Sequence, residues 1–207
     1  MKPMEIEKRS FAIITEELGD RKLDPEYELL IKRVIHTTAD FDYCDNMAFS
    51  EHAVEKMKAA IAGGSWIVTD TTMALSGINK RALASFGGEV RCFIADPDVA
   101  EEAKSRGVTR SLVSMEKAAR LGKKLIFAVG NAPTALFSIC ELIRTGKLEP
   151  EMVIGVPVGF VNVVEAKEEL MRTAKNYIVA RGRKGGSNVA AAIVNAVLYQ
   201  MTDREGQ

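Results

Sequence analysis

Two histidines and one basic, glycine-rich run carry most of the chemistry this sequence can offer. His36 lies in VIHTTADFDY (34–43), with Arg33 before it and Asp40 and Asp42 after it. Imidazole is the side chain whose proton exchanges nearest neutral pH, so a positioned histidine is the first candidate for a general acid or base. Helical spacing puts His36 in the last turn of a helix, where the negative end of the helix dipole favours a cation. A carboxylate from Asp40 or Asp42 would favour it further. Arg33, about one turn earlier on the same face, can bind an anion beside it, although its own charge opposes a second cation. A histidine that merely closes a helix fits the same position, and the residues alone leave both readings open. His52 follows Ser50 and Glu51 in a first helical turn, where the dipole disfavours its charge, and is read as structural or surface.

The second candidate is the run Arg181-Gly182-Arg183-Lys184-Gly185-Gly186-Ser187. Arginines pair bidentately with carboxylates, so this cluster suits a polyanion. Glycines ahead of a helix also let backbone N–H groups approach an anion closely. A solvated strand-to-helix turn remains the plain alternative. No GxxxxGK[ST] sequence occurs, and no strand leads into GxGxxG, so the usual nucleotide-binding fingerprints are missing. Cys44, Cys92 and Cys140 are widely spaced and odd in number, form no CxxC pair, and only two histidines are present. Neither a metal site nor a disulfide framework is expected, and free thiols suit a reducing cytoplasm.

These groups must be positioned by a mixed chain. Residues 1–64 read as helical: PMEIEKRSFAIITEELG stops at Gly19, DPEYELLIKRVIHTTAD opens with Asp24 as N-cap and Pro25 at the first helical position, and Ser50 caps EHAVEKMKAAIA. From Trp66 the pattern changes. WIVTD, VRCFIA, KLIFAVG, MVIGVP and YIVAR are short continuous apolar runs, the mark of strands covered on both faces. Helical segments alternate with them near 78–86, 99–121, 134–145 and 163–175, with a last one near 188–201. Five strands with helical crossovers specify a parallel sheet in a three-layer α/β domain, here 65–202. Ligands of such sheets bind beyond the carboxyl ends of the strands. That singles out Asp70-Thr71-Thr72, Asp96-Pro97, Gly130-Asn131-Ala132-Pro133-Thr134, Pro157-Val158-Gly159-Phe160 and the 181–187 run.

The 207 residues suffice for one domain with a sizeable core. Lys+Arg and Asp+Glu are both 28, so net charge gives no reason to expect nucleic acid or an anionic membrane as partner. No signal sequence and no apolar run of membrane-spanning length is seen, and a cytoplasmic protein is expected.

Several stretches together resemble the precorrin-8X methylmutase family, which includes the cobalt-precorrin-8 methylmutases. They are RSFAII (9–14), RVIHTTADFD (33–42), VGNAPTALF (129–137), IGVPVGFVNVVEAKEEL (154–170) and IVARGRKGGSNVAAAIVNA (178–196). The resemblance runs from about Glu7 to Tyr199. It implies a flavodoxin-like fold with a parallel five-stranded sheet in the order 2-1-3-4-5, hence a switch point between Asp70–Thr72 and Gly130–Thr134. It also implies a homodimer with active sites near the subunit interface.

The implied reaction is an isomerisation in cobalamin biosynthesis, in which a methyl group shifts between adjacent ring C carbons of the corrin precursor. No external methyl donor or other cofactor is implied, and any cobalt belongs to the substrate. His36 aligns with the family histidine taken to protonate the ring C nitrogen. Ser10 and Arg33 match family substrate-binding positions. Arg181, Arg183 and the backbone of Gly185, Gly186 and Ser187 are candidates for the carboxylates on the tetrapyrrole rim, with Thr71, Asn131 and Thr134 behind them and Arg110 beyond. The TADFD and TDTTM stretches lean toward the cobalt-dependent branch. Two rivals stand: a corrinoid carrier without turnover, and an unrelated flavin or nucleotide binder using the threonines of DTTMALSG. Tight product binding would also permit hand-over to the next pathway enzyme.

Overall fold

The computed structural model describes residues 3–202; residues 1–2 and 203–207 of the single domain expected over 1–207 lie outside the described residues. The five runs read as strands all form strands: β2 (Trp66–Thr69), β3 (Val90–Arg91), β4 (Leu125–Val129), β5 (Met152–Gly155) and β6 (Tyr177–Ala180). They pair in parallel, and their inner members are buried on both faces. The expected five-stranded parallel sheet needs one correction. A sixth strand, β1 (Met47–Phe49), pairs antiparallel with β6, Met47 opposite Ala180 and Phe49 opposite Ile178. The sheet order is β1-β6-β5-β4-β2-β3, so the parallel strands counted alone run 2-1-3-4-5. The segment 1–64 is therefore not wholly helical, because it supplies one edge of the sheet.

One face of the sheet is covered by α1 (Pro3–Leu18), α2 (Glu28–Thr38), α3 (Tyr43–Asn46), α4 (Ala53–Ala62), α5 (Thr72–Gly77), α6 (Lys80–Ala84) and α11 (Ser187–Met201). The other carries α7 (Pro97–Arg106), α8 (Arg110–Ala119), α9 (Pro133–Arg144) and α10 (Val163–Thr173). Helix α11 is apolar nearly all round and is correspondingly buried, wedged between the sheet and α2, α4 and α5. Three local expectations change. The helix read over 99–121 breaks into α7 and α8 because Gly107 adopts a left-handed conformation and the Thr109 hydroxyl caps α8 through the Leu112 N–H. Asp24 caps a preceding turn, accepting from the Glu26 N–H at 2.9 Å, and α2 starts only at Glu28. The Ser50 hydroxyl accepts from the Tyr177 N–H at 3.0 Å, extending the sheet ladder, while His52 takes the N-cap position of α4 at φ 54°.

Candidate active site

His36 sits in the last turn of α2 with its side chain exposed. Its ring stacks on Phe11 of α1, centroids 5.5 Å apart and planes inclined by 30°. Among the described residues no hydrogen bond or ion pair engages the imidazole, and the residue is exposed. Phe11 also has a cationic neighbour. The Arg33 guanidinium lies 4.7 Å from its ring centroid and 5.2 Å from that of Tyr199, and pairs with the Glu7 carboxylate at 2.5 Å. Arginine suits such cation–aromatic contacts because its charge is delocalised and weakly hydrated. Ser10, next to Phe11, donates its hydroxyl to the Ile6 carbonyl at 3.0 Å. Arg33 and His36 thus share the Phe11 ring where α1 packs on α2, an aromatic support that the sequence reading did not single out, while the Ser10 hydroxyl is engaged within its own helix.

The turn after His36 is built tightly. Ala39 caps α2 in the left-handed region at φ 54°, which a residue bearing a Cβ adopts only under constraint. Asp40 supplies part of that constraint: its Oδ1 accepts from the Asp42 N–H at 3.0 Å. Its Oδ2 accepts from Lys184 Nζ at 2.6 Å, and the same ammonium reaches Asp42 Oδ2 at 2.6 Å. The carboxylates expected to act on His36 are thus engaged by a lysine from the glycine-rich run. That lysine holds the Asp40 carboxyl below the usual carboxylate range, and the two carboxylates push the Lys184 ammonium above its ordinary value.

At the switch point, Asp70 ends β2 and is 1% exposed. Its carboxylate accepts from the N–H groups of Gly130, Asn131 and Ala132 at 2.9, 2.8 and 2.7 Å, stapling the end of β2 to the turn before α9. Burial pushes this carboxyl up from the ordinary range against the pull of the three N–H donors. Gly130 lies directly against α11: a Cβ there would stand 2.6 Å from Ser187 Cα. The Ser187 hydroxyl in turn meets Thr71 Oγ1 at 2.7 Å, and Thr71 Oγ1 also caps α5 by accepting from the Ala74 N–H. The protein's own groups thus occupy one another at this switch point.

The 181–187 run closes the same edge beyond β6. Its carbonyls turn inward: Gly182 and Lys184 accept from Lys167 Nζ, both at 2.8 Å, and Arg183 accepts from the Gly159 N–H at 3.1 Å. Lys167 is fully buried on α10, and burial pushes its ammonium down to about 8. Gly185, at φ 158°, passes so close to β5 that a Cβ would stand 2.1 Å from the Val156 carbonyl oxygen. With the backbone held inward, the Arg181 and Arg183 side chains are exposed, and Arg183 lies 5.4 Å from the centroid of Phe160. Phe160 (82% exposed), Val161 (77%) and Met73 (69%) add apolar surface to this edge. Apolar surface flanked by arginines is the complement of a flat apolar ring system with carboxylates on its rim.

Asn131 is exposed at the start of the α9 turn, and Thr134 accepts from the Thr109 hydroxyl at 3.0 Å. Arg110, beside Thr109, is exposed and borders an open cleft of about 590 Å³ between α7 and α8, lined by Ala100, Glu101 and Lys104. That layer is across the sheet from α2, and the neighbouring Thr109 ties the start of α8 to Thr134 in the turn after β4. Asp70 was singled out but given no role, and Lys167 was missed as a site-builder. Asp70 had a signal in its place at a strand end, whereas Lys167 reads as an ordinary lysine of an amphipathic helix. Among the described residues no cluster of His, Cys, Asp and Glu could hold a metal ion, and no helix is long and apolar enough to cross a membrane.

The family model CbiC, precorrin-8X methylmutase, matches residues 5–200. The cobalt-precorrin-8 methylmutase of Salmonella typhimurium is 49% identical over 207 residues, covering 97% of both chains. The precorrin-8X methylmutase of Pseudomonas aeruginosa is 37% identical over 202 residues, covering 97% of this chain and 95% of its own. Among solved structures, the precorrin-8X methylmutase of Thermus thermophilus superposes with a TM-score of 0.85 at 40% identity, over 93% of this chain and 95% of that one.

Proposed function

The chain belongs to the precorrin-8X methylmutase family, and from that premise we propose that His36 is the proton donor and acceptor of its reaction and that its substrate carries cobalt. The protein is a methylmutase, an isomerase of cobalamin biosynthesis. In the proposed mechanism His36 protonates the ring C nitrogen of the bound tetrapyrrole. The methyl group then migrates with its bonding pair to the adjacent ring carbon, and the proton returns to the imidazole. Atoms and charge balance without an external methyl donor. Arg33, Arg181 and Arg183 receive rim carboxylates, while Phe160, Val161 and Met73 meet the flat body.

The observation that carries this reading is the exposed His36 ring, held on Phe11 with its nitrogens unengaged among the described residues and Arg33 on the same aromatic support. Holding a reactant in one orientation is the larger part of such catalysis, and a fixed general acid adds to it. Cobalt is supported by similarity: two relatives named cobalt-precorrin-8 methylmutase are 49% and 44% identical, against 37% for one named precorrin-8X methylmutase. A homodimer is part of the proposal, and the exposed Ile6, Ile13 and Leu29 of α1 and α2 support an interface on that layer.

The test is absorbance spectroscopy with precorrin-8X and with its cobalt form, using wild type and His36→Ala. Methyl migration changes the conjugation of the macrocycle. Conversion by wild type, with loss of about two to four orders of magnitude in the variant, is expected of a general acid. Binding of both forms without conversion by wild type would leave only a corrinoid carrier.

A further inference from the structure

We propose that Lys184 is a positioning residue, a latch whose ammonium joins the turn after His36 to the carboxylate-binding loop after β6, so that the proton donor and the loop are set as one unit. The proposal rests on the reading of His36 given above and extends it to a residue that touches neither the donor nor the reacting atoms.

The geometry is specific. Lys184 reaches Asp40 Oδ2 and Asp42 Oδ2, both at 2.6 Å, across 144 and 142 positions of sequence. Asp40 receives it with the oxygen left over from holding its own turn, since the other oxygen accepts from the Asp42 N–H. That turn contains left-handed Ala39 and follows His36 directly, so any shift of Asp40 passes to the end of α2. On the loop side, the Lys184 carbonyl is held from beneath by buried Lys167, which also holds the Gly182 carbonyl. The same residue is therefore fixed at its backbone by α10 and at its side chain by the turn after α2.

Stability does not account for this arrangement. Lys184 and Asp42 are exposed and Asp40 is half-buried, and ion pairs this open to solvent contribute little to folding. The pairing instead removes relative motion between a proton donor on α2 and the anion-binding arginines of the loop after β6. Small misplacement of reacting groups is costly in rate even where binding survives.

The experiment compares wild type with Lys184→Met, Lys184→Arg and the double variant Asp40→Asn with Asp42→Asn. Thermal melting, kcat, KM and amide hydrogen exchange of residues 34–42 and 181–187 are measured on each. Lys184→Met and the double variant are expected to melt close to wild type, to lose about a hundredfold in kcat with KM little changed, and to exchange faster in both segments together. Lys184→Arg, which can still bridge two carboxylates, is expected to recover most of the rate. A rise in KM with kcat intact would make Lys184 a direct substrate contact and overturn the proposal. A large fall in melting temperature would make it structural and overturn it equally. Hydrogen exchange separates this inference from the assigned reaction. If wild type fails to convert either substrate, the function fails, yet the latch still stands or falls on whether 34–42 loosens when Lys184 is changed.

Discussion

The ring of Phe11 supports the ring of His36 at a centroid separation of 5.5 Å. An exposed histidine on a helix end otherwise samples several rotamers, and each one not aimed at the substrate lowers the fraction of productive encounters. Phe11→Ala is therefore expected to lower kcat by about tenfold or more, with a smaller effect on product affinity. Titrating product into the variant and following single-turnover conversion separates the two. Equal losses in both would indicate that Phe11 acts through binding and through Arg33, which shares its face.

The Asp70 staple makes a stability prediction. Three backbone donors converge on two carboxylate oxygens, and an amide offers one acceptor oxygen while turning its own N–H toward a donor. Asp70→Asn should cost about 3 kcal/mol, chiefly through buried N–H groups left unpaired. Denaturant titration would read this as a lower midpoint at constant slope. An unchanged midpoint would mean that the turn before α9 holds itself.

Lys167 gives a pH dependence of definite sign. Burial pushes its folded-state value down to about 8 from the ordinary 10.5. The folded protein releases this proton near 8 while the unfolded chain keeps it to 10.5, so between those values the unfolded state binds more protons. Raising the pH through that window therefore favours the fold, and below about 8 the burial penalty is present in full. The neutral amine keeps two hydrogens for the Gly182 and Lys184 carbonyls, so the contacts survive. In Lys167→Met this component should vanish. Stability of the two proteins measured against pH should diverge across the window, and parallel curves would rule the lysine out as its source.

Gly130 is a test of close approach. Its backbone is outside the left-handed region, so alanine is conformationally acceptable, but the Cβ would meet Ser187 Cα at 2.6 Å. Gly130→Ala should cost about 1–3 kcal/mol, typical of overpacking, and should part Ser187 from Thr71. Adding Ser187→Ala should then cost less than it does in wild type, a coupling that a double-mutant cycle detects.

What was readable in the sequence depended on range. Continuous apolar runs marked all five parallel strands, because a strand covered on both faces needs no partner to declare itself. MAF at 47–49 did not declare itself: three residues are too few for a period, and their pairing depends on β6, more than a hundred residues away. The break at Gly107 was locally encoded, by a glycine followed by Thr109, and amphipathic spacing on either side masked it. Of the site, His36 and the 181–187 run stood out by residue type. Their connection did not, since the ties of Lys184 to Asp40 and of Lys167 to the loop carbonyls join segments that only the folded sheet brings together. Phe11 was invisible as a support because an aromatic on an amphipathic helix reads as core.

The short strand β1 has an effect well away from the site. Without it, the four-residue β6 would present a free row of N–H and C=O groups on the sheet's flank. With it, that border is a three-residue strand, and the opposite border, β3, has two residues. Strand borders this brief give another chain almost no length on which to add by main-chain pairing. Partly folded copies are therefore poor templates for one another, and the protein should stay dispersed at concentrations where a longer open border would seed aggregates.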